Sequence, residues 1–478
     1  MTKRRVYAPR PYFDMVMDFL AEVERCGLFL PMGSGKTGLV LSHLDIAHNV
    51  LGESAPTLVL APLRVARDGW TTEAAKWEHL SGLDVVAITG TQEERRAALR
   101  RDAQVYTTNY DNIIWLMEYF ENAGKAWPFK RVIADESVKL KGFRLRQGAV
   151  RPQALAEVAH TLADKWINLS GAPAPNGLKD LWGQTWFLDK GERLGHSYSA
   201  FEDRWFGYRK VVDALSHKMS VQPVIFPHAQ DDIMSRLADI CLSIKMSDYY
   251  DLAAPVVNVI EVDLPASARA KYKAMEKEFF IEFECGKDVE AFSAAAKSQK
   301  LLQLANGAIY LDPERYGEGT WIEVHEAKME ALDSIINEAA GMPVLCSYQF
   351  KSDLARLKKR FPEGVDLATT DGMAKFKAGN APIGFGHPQS IGHGVDGLQD
   401  VTNICCIFAQ DWNLDTHDQF LERIGPTRQM QSGLDRGVYV HYIVAKNTID
   451  ELVIARRETK RSVQDLFLDY MKERKNAV

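Results

Sequence analysis

Two series of short apolar runs, separated by stretches with helical spacing, constrain this chain more than any single residue does. The first series is Gly27–Leu30, Thr57–Ala61, Asp84–Thr89, Gln104–Thr108, Arg131–Ala134 and Trp166–Leu169. The second is Pro343–Ser347, Val365–Thr369, Pro382–Gly386, Asn403–Phe408 and Val438–Val444. Runs of this kind, bounded by turn residues and alternating with helices, build parallel sheets covered on both faces. The sequence therefore predicts an α/β protein with two such sheets. Between the series, aromatic and charged residues mix in helical stretches such as Ala268–Glu284. The expected organisation is an N-terminal α/β domain over residues 1–188, a helical insertion over 189–307, and a C-terminal α/β domain with a charged helical tail over 308–478. A hydrophobic content of 46% supplies cores for all of it and excludes a largely disordered chain.

Charge narrows the function classes. Lys and Arg number 58 against 64 Asp and Glu, a net charge of −6. That excludes coating of nucleic acid or membrane by bulk charge but leaves room for a local basic track. The six cysteines form no CxxC pair, and several sit in apolar runs such as Ile404-Cys405-Cys406-Ile407, as buried thiols of a reducing compartment do. No HExxH pattern or tight His/Cys cluster suggests zinc. The basic stretch Met1–Arg10 lacks the apolar core of a signal peptide, and no run approaches the ~20 apolar residues of a membrane span. The expected location is cytoplasmic, with no membrane partner.

Leu28-Phe29-Leu30-Pro31-Met32-Gly33-Ser34-Gly35-Lys36-Thr37 passes from an apolar run into a helical stretch. Glycines there let backbone N–H groups cradle a phosphate, and the helix N-terminus favours its charge. Gly33, Ser34, Gly35, Lys36 and Thr37 are the expected ATP-binding residues, with Lys36 on the β- and γ-phosphates and Thr37 on Mg²⁺. The strict loop pattern has glycine six residues before the lysine, where this chain has Leu30. Downstream, Val132-Ile133-Ala134-Asp135-Glu136 is an apolar run ending in two acids. Asp135 is expected to hold Mg²⁺ and Glu136 to polarise the attacking water.

At these residues the chain resembles a superfamily-two helicase motor (DEAD/DEAH-box helicase-like), of the Swi/Snf-type DNA translocase branch in a compact phage-like form. Pro11-Tyr12-Phe13 resembles its adenine-binding element, which usually has glutamine where Phe13 stands. Val59–Val65 followed by Trp70 resembles motif Ia, Thr108–Asp111 motif Ib, and Asp135-Glu136-Ser137 the acidic box. Leu169-Ser170-Gly171-Ala172-Pro173 resembles motif III, with Ala172 in place of the usual threonine. Val344–Tyr348, His387–Gln399 and Gln419–Gln429 resemble motifs IV, V and VI. Lys328, opening a helical stretch, fits the start of the second motor domain. The resemblance implies two RecA-like (P-loop NTPase) domains and nucleotide contacts at Tyr12, Asp396 and Gln419. It also implies an arginine finger at either Arg423 or Arg428, because Pro426 occupies the family's usual second arginine position. Pairing with a local acid is the competing reading for each arginine.

The same resemblance implies DNA across motifs Ia, Ib, IV and V, contacted by Arg64, Thr108, Asn109, Lys139, Lys141, Ser347, Tyr348 and His393. Phe201, Trp205, Phe206 and Tyr208 among Arg204, Arg209 and Lys210 read as helix packing, or else as a contact to a second strand. The leading expectation is an ATP-driven, monomeric translocase on double-stranded or branched DNA, in the host cytoplasm if a phage encodes it. One rival is an RNA or branched-nucleic-acid unwinder, or the motor of a separate nuclease or replication protein. The other is an ATP-gated DNA clamp with little turnover.

Overall fold

The computed structural model describes residues 4–144, 150–171, 173–174, 177–212, 219–284, 291–391, 395–434, 436–455 and 457. Its contacts divide the chain into a unit ending at Asp251 and a second unit beginning at Leu252. Among the described residues no helix is long and apolar enough to cross a membrane.

The first unit holds β1 (Arg25–Phe29), β2 (Thr57–Ala61), β3 (Val85–Ala87), β4 (Val105–Asn109), β5 (Arg131–Asp135) and β6 (Lys165–Leu169). A separate antiparallel ribbon of β7 (Phe206–Val212) and β8 (Met219–Ile225) follows, then β9 (Cys241–Ser243). Apart from the ribbon these strands form one sheet in the order β3-β4-β2-β5-β6-β1-β9, with every pairing parallel. All residues of β2, β4 and β5 are buried, which is why these strands read as continuous apolar runs rather than as alternating ones. At the foot of β1, the Arg25 guanidinium donates to the carbonyls of Ala159, Ala163, Asp164, Phe187 and Leu188. One side chain thus closes the carbonyl ends of two helical segments.

In the second unit, β10 (Val256–Val262), β13 (Val344–Ser347), β14 (Val365–Asp366), β15 (Ile383–Gly386), β16 (Ile404–Ile407) and β17 (Tyr439–Ala445) form another parallel sheet. Its order is β10-β17-β16-β13-β15-β14, and a small hairpin of β11 (Ala308–Tyr310) and β12 (Trp321–Glu323) stands apart from it. The stretch 189–307, expected as a helical insertion, therefore contributes a strand to the edge of each sheet. Phe201, Trp205 and Phe206 are buried in the first core, as the packing reading expects, while Tyr208 is exposed. In the tail, residues 449–455 are helical, but Arg457 is buried and donates to Gln410 Oε1 at 2.9 Å and to the Asp411 carbonyl at 3.1 Å. It is not part of a solvated charged face. Arg456, Lys460 and Arg461 lie outside the described residues.

A buried ionic network ties the second unit together. Lys328 Nζ meets Asp450 Oδ2 at 2.6 Å and Asn306 Oδ1 at 2.8 Å, with both ionic side chains wholly buried. Asn306 donates to Asp353 at 3.2 Å, and Asp353 also accepts the Phe350 and Gln349 N–H groups. Burial pushes the Asp353 carboxyl up to about 6, although those N–H groups and the nearby cations pull the other way. The folded state thus favours the protonated form. Stability from this group is fully present below the ordinary carboxylate value and is lost as pH rises through about 6. Denaturant titrations at stepped pH should show the second unit losing up to about 3 kcal/mol over that window. Asp353→Asn should flatten the profile, and an unchanged slope in that variant would refute the assignment.

Candidate nucleotide site

The strand ends of the first sheet bring the expected residues together. Register places Leu28 of β1 beside Leu169 of β6, and Leu169 beside Asp135 of β5. The loops leaving β1, β5 and β6 therefore emerge side by side at the carboxyl edge of a parallel sheet, where such folds bind ligands.

From β1 the chain turns through Pro31–Gly35 into the helix Lys36–Asp45. Gly33 and Gly35 are left-handed, at φ 76° and 78°, a conformation that costs glycine little. The helix begins with no side-chain cap hydrogen bond. The Ser34 hydroxyl is buried with no partner, an unmet polar group of the kind a bound phosphate satisfies. Lys36 Nζ donates to the Leu30 carbonyl at 2.9 Å, so the position that departs from the strict pattern holds the lysine through its main chain. Thr37 follows in the first turn, half-buried. Tyr12 is 1% exposed, and its hydroxyl donates to the Ser34 carbonyl at 2.5 Å. Burial first, then neighbouring tyrosines, push that phenol up, which keeps it a donor at working pH. Tyr12 thus braces the loop from the interior.

Asp135 is buried at the end of β5, and each carboxylate oxygen is held: Oδ2 by Trp70 Nε1 at 3.0 Å, Oδ1 by the Glu136 N–H at 3.1 Å. Burial raises its carboxyl above the ordinary range, and the Trp70 bond and the Lys36 charge act against that rise. Glu136 has φ 55° and ψ 53°, a left-handed backbone on a non-glycine residue that costs about 1–3 kcal/mol and persists only where its surroundings enforce it. The Tyr110 hydroxyl donates to the Asp135 carbonyl at 2.8 Å on one side of it. On the other side, Ser137 opens the 3-10 turn Ser137–Leu140. Gly171, in the loop after β6, lies close enough to the lysine that a Cβ there would sit 3.4 Å from Lys36 Nζ. Ala172 lies outside the described residues. Nothing local in the sequence marks Trp70, which holds the Asp135 carboxylate, or Tyr110, which holds its carbonyl, as parts of the site.

In the second unit, Arg428 NH1 pairs with Asp396 Oδ1 at 2.7 Å, so two expected nucleotide residues meet each other, and Arg428 does have a local acid partner. Arg423 is buried and donates to the carbonyls of Val395 at 2.7 Å and Gln419 at 3.3 Å. Gln419 is buried with its Oε1 unpartnered.

The expected nucleic-acid residues divide by exposure. Lys139 is exposed, and Lys141 and Arg64 are half-buried, with Lys141 Nζ 3.8 Å from Asp180. Thr108, Asn109, Ser347 and Tyr348 are buried. Thr108 Oγ1 donates to the Ile88 carbonyl, Asn109 accepts from Asn112, and Tyr348 packs in the second core with its ring against His387. These four side chains are committed inside the protein, which leaves main-chain contacts as what their segments can offer a phosphate backbone. His393 lies outside the described residues.

Comparison with known proteins places this geometry. The chain matches the SNF2-related domain family over residues 17–309. It is 47% identical over 474 residues to "Putative protein p41" of Acyrthosiphon pisum secondary endosymbiont phage 1, covering 98% of this chain and 100% of that one. The Transcription regulatory protein SNF2 of Saccharomyces cerevisiae is 27% identical over 178 residues, 37% of this chain but 10% of that protein. In fold, the Pyrococcus furiosus Hef helicase domain matches 94% of this chain and 98% of its own length, with a TM-score of 0.50 at 13% identity. That likeness and the two parallel sheets bear out the expected α/β fold with two RecA-like lobes. Since the family match spans more than half of its length, the chain belongs to the SNF2-related domain family, and it is an ATP-hydrolysing enzyme of the translocase and helicase type.

Proposed function

We propose that this protein is an ATP-dependent translocase on double-stranded or branched DNA. The observation that carries the ATP half is the alignment of the β1, β5 and β6 strand ends, which sets the phosphate loop, the acid pair and Gly171 side by side. The DNA half rests on membership of a family whose yeast relative is titled a transcription regulatory protein.

Each residue then has a task. Gly33, Ser34 and Gly35 present the loop's polar groups to the phosphates, and Lys36 neutralises charge on the β- and γ-phosphates. Thr37 and Asp135 offer hard oxygen donors, and the well-ordered carboxylate of Asp135 fits a small divalent cation such as Mg²⁺. When bound, that ion supplies positive charge to the phosphates as the terminal bond breaks. Glu136 accepts a proton from the attacking water. Asp396, Gln419 and either Arg423 or Arg428 are the nucleotide-contacting candidates of the second unit, and a guanidinium that meets a γ-phosphate stabilises the charge developing there. Arg64, Lys139 and Lys141 offer cations to DNA phosphates, which read little sequence.

A phosphate-release panel with duplex DNA, forked DNA, single strands and RNA tests the proposal. Duplex or forked DNA should stimulate multiple turnovers most, and the stimulation should fall as salt rises. Strongest stimulation by RNA or single strands would point to an unwinder instead. Release that stops after one turnover at saturating DNA would make the protein a clamp.

A further inference from the structure

Gln184 lies on the helix Lys179–Asp189, whose residues from Leu181 to Leu188 are all buried. A glutamine so placed adds nothing to solubility, and its amide is costly to bury unless every polar atom finds a partner. Here every one does. Gln184 Oε1 accepts the Ser137 hydroxyl at 2.9 Å. Its Nε2 donates to the Pro173 carbonyl at 2.5 Å and to the Asp180 carbonyl at 3.0 Å. The helix can come this near only because Gly183 lacks a side chain: a Cβ there would lie 2.4 Å from the Leu140 carbonyl and 2.9 Å from that of Lys141.

The two ends of this bridge sit at the two working parts of the nucleotide site. Ser137 directly follows Glu136, whose left-handed backbone must be held in place. Pro173 lies two residues beyond Gly171, the residue beside Lys36 Nζ. We propose that Gln184 is a positioning residue that clamps the segment bearing the water-activating carboxylate to the loop beside the phosphate-binding lysine. In this role it sets the rate of hydrolysis rather than the affinity for ATP. The inference rests on the assignment of Glu136 and Lys36 given above. With Tyr110 holding the carbonyl before Glu136 and Gln184 holding the hydroxyl after it, the carboxylate is fixed from both sides. A shift of about 1 Å in a catalytic group costs up to about 10²-fold in rate.

The test measures DNA-stimulated ATP turnover, KM for ATP, and the stoichiometry of a fluorescent ADP analogue on the full-length protein. Gln184→Met keeps the shape and removes both arms, and Ser137→Ala removes one hydroxyl. Each should lower kcat at least about tenfold, with KM within about twofold and one analogue bound per chain. The double variant should be no slower than the slower single one, because both act through one clamp. A general packing defect would instead reduce the analogue stoichiometry in proportion to kcat. Parental kcat in Gln184→Met, or in Ser137→Ala if the former does not fold, would overturn the clamp. Glu136→Gln in the same assay separates the two levels. If that variant is inactive while the clamp variants turn over normally, only the clamp fails; if it is active, the site assignment fails and takes the clamp with it.

Discussion

Glu136→Gln is expected to bind ATP with near-parental affinity and to lose about 10²–10⁴-fold in turnover, the range that a positioned general base contributes. The substitution preserves size and hydrogen-bonding capacity, so the left-handed backbone at φ 55° and the 3-10 turn that follows should persist. What disappears is a group able to take a proton from water. Lys36→Ala should abolish turnover by a different route. It removes the cation of the phosphate loop and, with it, the bond to the Leu30 carbonyl that holds the turn closed. ATP affinity should therefore fall along with the rate. The contrast is the informative result: binding retained in one variant, and weakened in the other. Normal phosphate release by either would remove that residue from the site.

The second large effect concerns stability. Lys328→Ala takes the ion-pair partner from the wholly buried Asp450 carboxylate, and breaking a buried pair in this way costs about 3–5 kcal/mol. The loss should fall on the unfolding transition of the second unit, because Lys328, Asp450, Asn306 and Asp353 all lie within it. A double variant, Lys328→Met with Asp450→Asn, removes both charges and should recover part of the loss. Chemical denaturation followed by tryptophan fluorescence and by far-UV circular dichroism measures both. A second-unit transition within about 1 kcal/mol of the parent in Lys328→Ala would mean that the pair contributes little against its own desolvation.

The nucleotide loop was legible because its chemistry is local. Glycines, a lysine and a hydroxyl at fixed spacing between a strand and a helix specify the turn without any distant partner. The acid pair at the end of β5 was legible for the same reason. Residues whose role depends on contacts far along the chain were not. Thr108 and Ser347 look available in sequence, yet strand pairing carries them inside. Arg428 meets Asp396 across a sequence separation of 32 residues that no spacing rule connects. Strands β9 and β10 escaped notice because the first is only three residues long and the second mixes Asn258 and Glu261 among valines. Gln184 did leave a trace, as the one amide in the run Leu181-Trp182-Gly183-Gln184-Thr185-Trp186-Phe187-Leu188. That trace gains a meaning only when Ser137 and Pro173 stand beside it.

Strand β9 also bears on how the enzyme is made. Cys241–Ser243 covers the outer edge of β1, the strand that carries the phosphate loop, and Ser243 Oγ donates to the Phe29 carbonyl from 214 residues away. Gly27 leaves the room for it: a Cβ there would sit 3.0 Å from Cys241 Sγ. During synthesis at about 5–20 residues per second, that outer edge of β1 would wait uncovered for more than ten seconds before β9 emerged from the ribosome. A recombinant fragment stopped near residue 188 would keep that one edge bare permanently, with its open N–H and C=O groups inviting strand-to-strand aggregation. The shortest soluble ATP-binding fragment should therefore extend past Ser243, well beyond the last of the motifs by which the first lobe is recognised.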